Sequence, residues 1–264
     1  MQATIDISWY AVGCFMLILA IPALINFRFE LKLGKEISIA TLRMTVQLML
    51  VGVYLGLLFE LNSLWLNLAW LAIMLMVGAS AILGGAKLPK KVLFFPITAA
   101  LLIATLPLMG LLLMVLLQPD PVYSAQYLIP LAGMLLGNCL SGNIVALQRL
   151  FTAFSEKRSD YESALVLGAT PKQAAWPFIQ SALQQSQAPI LASMATTGLV
   201  TLPGMMTGQI LGGTDPIIAV KYQLIIMVAI FTMLTISVTL ALLLTLKVSL
   251  QPTGFIRIKQ LITH

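Results

Sequence analysis

LPGMMTGQILGGTDP, residues 202–216, separates two of the most apolar stretches of a very apolar chain. It spaces Gly204, Gly208 and Gly212 four residues apart, adds Pro203 and Pro216, pairs Met205 with Met206, and carries an acid at Asp215. The fold turns on whether this stretch belongs to a membrane span or to a soluble loop, and composition answers that first. The 264 residues are 59% hydrophobic and 9% charged, with a mean hydropathy of +0.98. A soluble domain carries about 25% charged residues, so lipid must be the solvent for most of this chain. Both cysteines, Cys14 and Cys139, fall inside apolar runs, which argues against a disulfide framework.

A helix needs about 20 apolar residues to cross the hydrocarbon. Seven stretches qualify: Trp9–Phe27, Ile39–Phe59, Leu64–Gly84, Val92–Leu117, Tyr127–Leu147, Ala188–Leu211 and Ile217–Leu246. The first lacks the basic flank and small-residue cleavage site of a signal peptide and reads as a retained span. The expected fold is all-α, a polytopic membrane protein forming one transmembrane domain over residues 1–264. Orientation follows from the bases. Arg28, Lys32, Lys35, Arg43, Lys87, Lys90, Lys91, Arg149, Lys157, Arg158, Lys172, Lys247, Arg257 and Lys259 fall on one side of these spans. Lys221 alone falls on the other side, with Asp6, Glu60, Asp120 and Asp215. The positive-inside rule therefore places the N-terminus outside and the C-terminus in the cytoplasm. A net charge of +6 could also suit nucleic acid, but these bases sit in short loops without interleaved aromatics, so no nucleic-acid partner is expected.

One connection is long: residues 148–187, on the cytoplasmic side of this topology. Within ALVLGATPKQAA, Gly168 can close a helix in the left-handed conformation. Thr170 suits an N-cap and Pro171 the first helical position after it. The loop thus reads as helix, sharp turn, helix, with Leu165, Val166, Leu167 and Ala169 exposed at the tip for a partner's groove. The same composition also suits an amphipathic connector lying on the membrane interface.

ESALVLGA resembles the cytoplasmic loop of ABC-transporter permeases, with Glu162, Ala164 and Gly168 in an E-x-A-x-x-x-G arrangement. Ser163 stands where the importer pattern has alanine, and the later Ile-x-Leu-Pro element is missing. IPLAGMLLGN, LGATPKQA, GLVTLPGMMTG and DPIIAVKYQ, in that order, resemble the iron-export ABC permease family (FetB-like), to which plant aluminium-tolerance membrane subunits are also similar. The resemblance implies a bacterial inner-membrane permease, dimeric, exporting a metal or metal complex. It further implies a coupling helix around Glu162, Ala164, Leu165, Val166, Leu167, Gly168 and Ala169 that docks on a separate ATPase subunit. The chain has no Walker A: its only Gly-Lys pair, Gly34-Lys35, is followed by Glu36. No cofactor is expected on this chain, and any ATP belongs to the partner.

Inside the spans, Gly204, Gly208 and Gly212 would share a helix face, as would Gly52 with Gly56, and Gly133 with Gly137 and Ser141. Small residues at that spacing let helices approach closely in lipid. Pro203 should break or kink its helix, and freed backbone groups are tolerated at depth only in protein or beside a wet cavity. Thr197, Thr201, Pro203, Gly204, Met205, Met206, Thr207, Gly208 and Gln209 are therefore expected to form a hinge or pathway. Asn138 and Ser141, polar groups in the fifth span, are candidates for the same pathway or for interhelical hydrogen bonds. Met205 and Met206 are soft donors, but neighbours on a helix point about 100° apart. Asp215 suits either an exit-side carboxylate or a turn ahead of the last span. No His, Asp or Glu lies deep in an expected span, so a high-affinity imidazole and carboxylate site is not expected and the metal ligands are unassigned. The alternative function is a stand-alone secondary transporter or channel, which would call for a coupling carboxylate or an internal repeat. A membrane enzyme is disfavoured: no HExxH is present, and the one histidine, His264, is the last residue.

Overall fold

The computed structural model describes residues 6–250; Arg257, Lys259 and His264 lie outside them. Among the described residues the chain is helical apart from turns and one isolated bridge. Helices α1 (Trp9–Met16) and α2 (Ala20–Arg28) join through a 3-10 turn, Leu17–Leu19. Then follow α3 (Gly34–Leu61), α4 (Leu64–Gly85) and α5 (Lys90–Gly110), which widens into a π-helix at Leu111–Leu117. The chain continues through α6 (Ala125–Glu156), α7 (Arg158–Val166), α8 (Pro171–Thr196), α9 (Gly204–Leu211) and α10 (Pro216–Ser249). Six helical stretches are long and apolar enough to cross a membrane: Trp9–Arg28, α3, α4, Lys90–Leu117, α6 and α10. This is a polytopic membrane protein.

The seventh expected span, Ala188–Leu211, is not one helix. α8 begins as early as Pro171, ends at Thr196, and the helix resumes only at Gly204. The interruption has local causes. Gly198 takes φ +91°, a conformation that side chains resist. The N–H groups of Leu199, Val200 and Thr201 all turn back to the Thr196 carbonyl, and Gly198 donates to the Thr201 carbonyl at 2.9 Å. Pro203 then caps α9 from outside the helix in extended geometry. The break is a compact seven-residue link, 197–203, rather than a proline kink.

The packed core is α4, α5, α6 and α10, with the first half of α8 laid against α6. Leu75, Ile82, Leu93, Leu101, Leu135, Leu147 and Met233 are among its largest fully buried side chains. Two glycines permit the closest approaches: a Cβ on Gly142 would collide with Leu234 of α10, and one on Gly85 with Ile144 of α6. The expected small-residue faces are used differently. A Cβ at Gly52, Gly56, Gly137, Gly204 or Gly208 would meet nothing within 4 Å. Those glycines therefore serve no tight contact within this chain.

The helices before α4 contribute almost nothing to the core. No residue of α1 or α2 is buried, and α3 buries only Leu58. α3 meets α4 through the Tyr54 and Trp70 rings, 4.4 Å apart, and its Asn62 Oδ1 accepts from the Ala125 N–H. Asn67 Nδ2 of α4 donates to the Tyr123 carbonyl at 2.8 Å at the same end of the bundle. Lys87, Lys90 and Arg149 gather at the other end, where Gln148 Nε2 donates to the Gly85 carbonyl and Lys90 Nζ to Ser80 Oγ. We call this the basic end.

Candidate functional site

The long connection forms an elbow at the basic end. α6 runs on to Glu156, past the expected exit at Leu147, and α7 and α8 fold back against it. Three rings lock the bend. Phe154 stands edge-on to Tyr161 at 5.5 Å and to Phe178 at 5.0 Å, and all three are buried. Such geometry directs the positive ring edge at a negative ring face. Burial also pushes the Tyr161 phenol above its ordinary value.

At the tip, Gly168 takes φ +94° and ends α7, and Thr170 opens α8. Thr170 Oγ1 accepts from the Gln173 N–H, while Gln173 Oε1 accepts from the Thr170 N–H at 2.9 Å. This capping box satisfies two otherwise orphaned donors. The tip therefore has a single shape. Val166 and Leu167 project from it, 86% and 88% exposed. The expectation for Leu165 and Ala169 needs correcting: both, with Ala164, turn inward against the core because the left-handed turn at Gly168 reverses the chain over them. Glu162 pairs with Arg158 at 2.6 Å on the outer surface of α7.

A second site runs along the bundle. On α6, Gln126, Pro130, Met134, Gly137, Asn138, Ser141, Val145, Gln148 and Thr152 fall within one face at 100° per residue, and none of them is buried. The opposite face carries the core residues Leu135, Cys139, Gly142, Asn143 and Ala146. There Asn143 Nδ2 donates to Ser237 Oγ at 3.0 Å, the interhelical bond of this region. Asn138 does no such work; its Nδ2 only returns to the Met134 carbonyl. Asn138 and Ser141 lie near mid-span, where polar groups against hydrocarbon are costly. That face is built to meet protein or water.

A crevice lies at each end of this face. The basic-end crevice, ≈ 680 Å³, is lined by Lys87, Gln148, Arg149, Thr152, Ser155 and Glu156 over a floor of apolar side chains. The other crevice, ≈ 380 Å³, lies between α6, α9 and α10, and Met134, Met205, Gln209, Thr214 and Tyr222 line it. Met205 reaches this crevice and Met206 does not, as their spacing on a helix requires. Gln209 Oε1 is buried and accepts no hydrogen bond among the described residues. Gly204 and Gly208 give α9 a smooth exposed side. Of the remaining residues in the 197–209 stretch, Thr197 Oγ1 donates to the Ser193 carbonyl at 2.7 Å and Thr207 Oγ1 to the Pro203 carbonyl at 3.1 Å. Thr201 pairs with Thr197 through the isolated bridge. Asp215 accepts from the Ile217 N–H at 2.8 Å and caps α10. Its geometry is that of a turn residue.

Sequence reasoning marked Asn138, Ser141, Met205 and Gln209, but missed Gln126, Gln148 and Thr152, which share the α6 face, and Arg149, which lines the basic-end crevice. The helical register of α6 was the signal that could have joined them.

Comparison with known proteins places these features in a family. The uncharacterised protein family UPF0014 matches residues 9–249. The chain belongs to the UPF0014 family. A UPF0014 membrane protein of Synechocystis is 38% identical over 242 residues, 90% of this chain and 93% of its own length. The Arabidopsis thaliana protein ALUMINUM SENSITIVE 3 is 32% identical, covering 80% of this chain and 76% of its own. The probable iron export permease protein FetB of Escherichia coli is 29% identical over 87% of each chain. No solved structure matches. The family match extends from the start of α1 to the end of α10 and so covers both the elbow and the α6 face of this UPF0014 member.

Proposed function

We propose that this chain is the permease subunit of an ATP-driven exporter in a bacterial inner membrane, working as a homodimer and moving a metal or metal complex outward. One observation carries the reading: a rigidly braced tip presents Val166 and Leu167 to water. Two apolar side chains held that far out of the core, on a turn fixed by a capping box and three packed rings, fit insertion into a partner's groove. The partner is an ATPase subunit, since this sequence has no phosphate-binding glycine loop. The basic end then faces the cytoplasm. The exposed α6 face lines the pathway, closed on its open side by the second copy, and the 197–203 link with α9 gates the outer crevice. Export of iron by the FetB relative, by its name, supports the metal as cargo.

The test is co-purification of the tagged chain from its native membranes. A stoichiometric ATPase subunit is expected, retained by the parent chain and lost with Leu167→Asp. A chain that purifies alone, or a partner indifferent to Leu167, would sink the reading.

A further inference from the structure

The two crevices differ in charge, and the difference bears on the form in which cargo enters. Lys87 and Arg149 line the basic-end crevice, with the hydroxyls of Thr152 and Ser155 beside them and Glu156 as its one acid. Every side chain lining the far crevice is neutral. Among the described residues there is no group of three or more His, Cys, Asp or Glu able to hold a metal ion.

A bare divalent cation would fare badly here. It would meet two cations against one acid at the entrance. It would then have to shed water with no anionic ligand to replace it, an exchange that hard and borderline ions resist. A metal ion that brings its own oxygen ligands avoids that loss. The crevices are also far roomier than a single ion needs, and ≈ 680 Å³ falls in the range of small organic ligands. Guanidinium, ammonium and hydroxyl groups are donors that match carboxylate oxygens.

Building on the transport reading above, we infer that the cargo enters as a preformed, net-anionic chelate, a metal ion wrapped in carboxylate oxygens. Lys87 and Arg149 receive it at the basic end. The neutral α6 face and the Thr214 and Tyr222 hydroxyls of the far crevice then pass it on without holding it tightly, as export requires.

The experiment uses the full chain in phosphatidylcholine nanodiscs, without any ATPase, and measures bound metal by equilibrium dialysis. The probes are Fe(III)–citrate in excess citrate and Fe(II) alone under anaerobic conditions. Fe(III)–citrate should bind saturably and with marked salt sensitivity, while Fe(II) should not. Lys87→Gln and Arg149→Gln should each weaken chelate binding about fivefold, the scale of a part-exposed ion pair. Lys87→Arg should restore it, and size-exclusion profiles should show all variants folded. Fe(II) binding as tightly as the chelate would overturn the inference, as would chelate binding indifferent to both glutamine variants. Because the assay contains no ATPase, its failure is distinct from the absence of an ATPase partner.

Discussion

Replacing Phe178 with alanine should unlock the elbow while leaving the bundle intact. Phe178 is buried where α8 crosses α6, 8% exposed, and stands 5.0 Å from the Phe154 ring and 6.5 Å from that of Tyr161. Truncating a buried phenylalanine costs about 3–5 kcal/mol, and the lower end applies because the cluster sits at one edge of the core. A loss of about 3 kcal/mol, at 1.36 kcal/mol per tenfold, raises the open population roughly a hundredfold. The assay is amide hydrogen exchange on the full chain in nanodiscs. Exchange should accelerate on that scale in α7 and the first two turns of α8, and stay unchanged in α4, α5 and α10. Phe178→Leu keeps most of the buried area and should recover most of the protection, losing about 1 kcal/mol. Unchanged exchange in α7, or a uniform rise throughout the bundle, would refute the idea that the three rings brace the tip.

Gly142→Ala should destabilise by about 1–3 kcal/mol, because its Cβ runs into Leu234; Leu234→Ala should rescue it in urea or thermal unfolding in detergent. Gly168→Ala, at φ +94°, should cost about 1–2 kcal/mol of local stability, read as faster exchange at Ala169 and Thr170. Leu167→Asp should leave the melting temperature within the scatter of surface substitutions, about 0.5 kcal/mol, while abolishing retention of an ATPase partner. Asn143→Ala combined with Ser237→Ala should give a coupling energy of about 0.6 kcal/mol in a double-mutant cycle, the usual size for a hydrogen bond between membrane helices.

The parts of this fold written in local chemistry were legible in the sequence. Gly168, Thr170 and Pro171 each have one favoured place at a helix boundary, and the turn at 167–170 follows from them. Pro203 marked the interruption near the outer crevice, but Gly198 and the converging N–H groups on Thr196 set its extent, and only the folded backbone reveals them. The glutamines at 180, 184, 185 and 187 separate the second helix of the connection from a span expected to begin at Ala188. In the fold the two are one helix, α8, which starts at Pro171 and runs unbroken to Thr196 with its first half packed against α6. Tight glycine contacts were expected from spacing within a helix, yet Gly85 and Gly142 earn theirs from the partner across the gap, Ile144 and Leu234. Spacing cannot name a partner. The polar α6 face was half seen for a similar reason: Asn138 and Ser141 stand out in an apolar span, whereas Gln148 and Thr152 lie where a polar residue is unremarkable.

The length of α6 fixes how far the elbow stands from the bilayer. With Tyr127 at one edge of the hydrocarbon, about 20 residues bring the helix to Leu147 at the other edge. Phe154 lies seven residues beyond, about 10 Å at 1.5 Å per residue. α8 turns back beside it, and Pro171 precedes Phe178 by seven residues, adding about 10 Å more. The headgroup layer is only about 5–8 Å thick on each side. Val166 and Leu167 therefore clear the headgroups by about 12–15 Å, a little more than one helix diameter, too far out to rest on the interface. At that height the proposed partner could reach them without touching the headgroups.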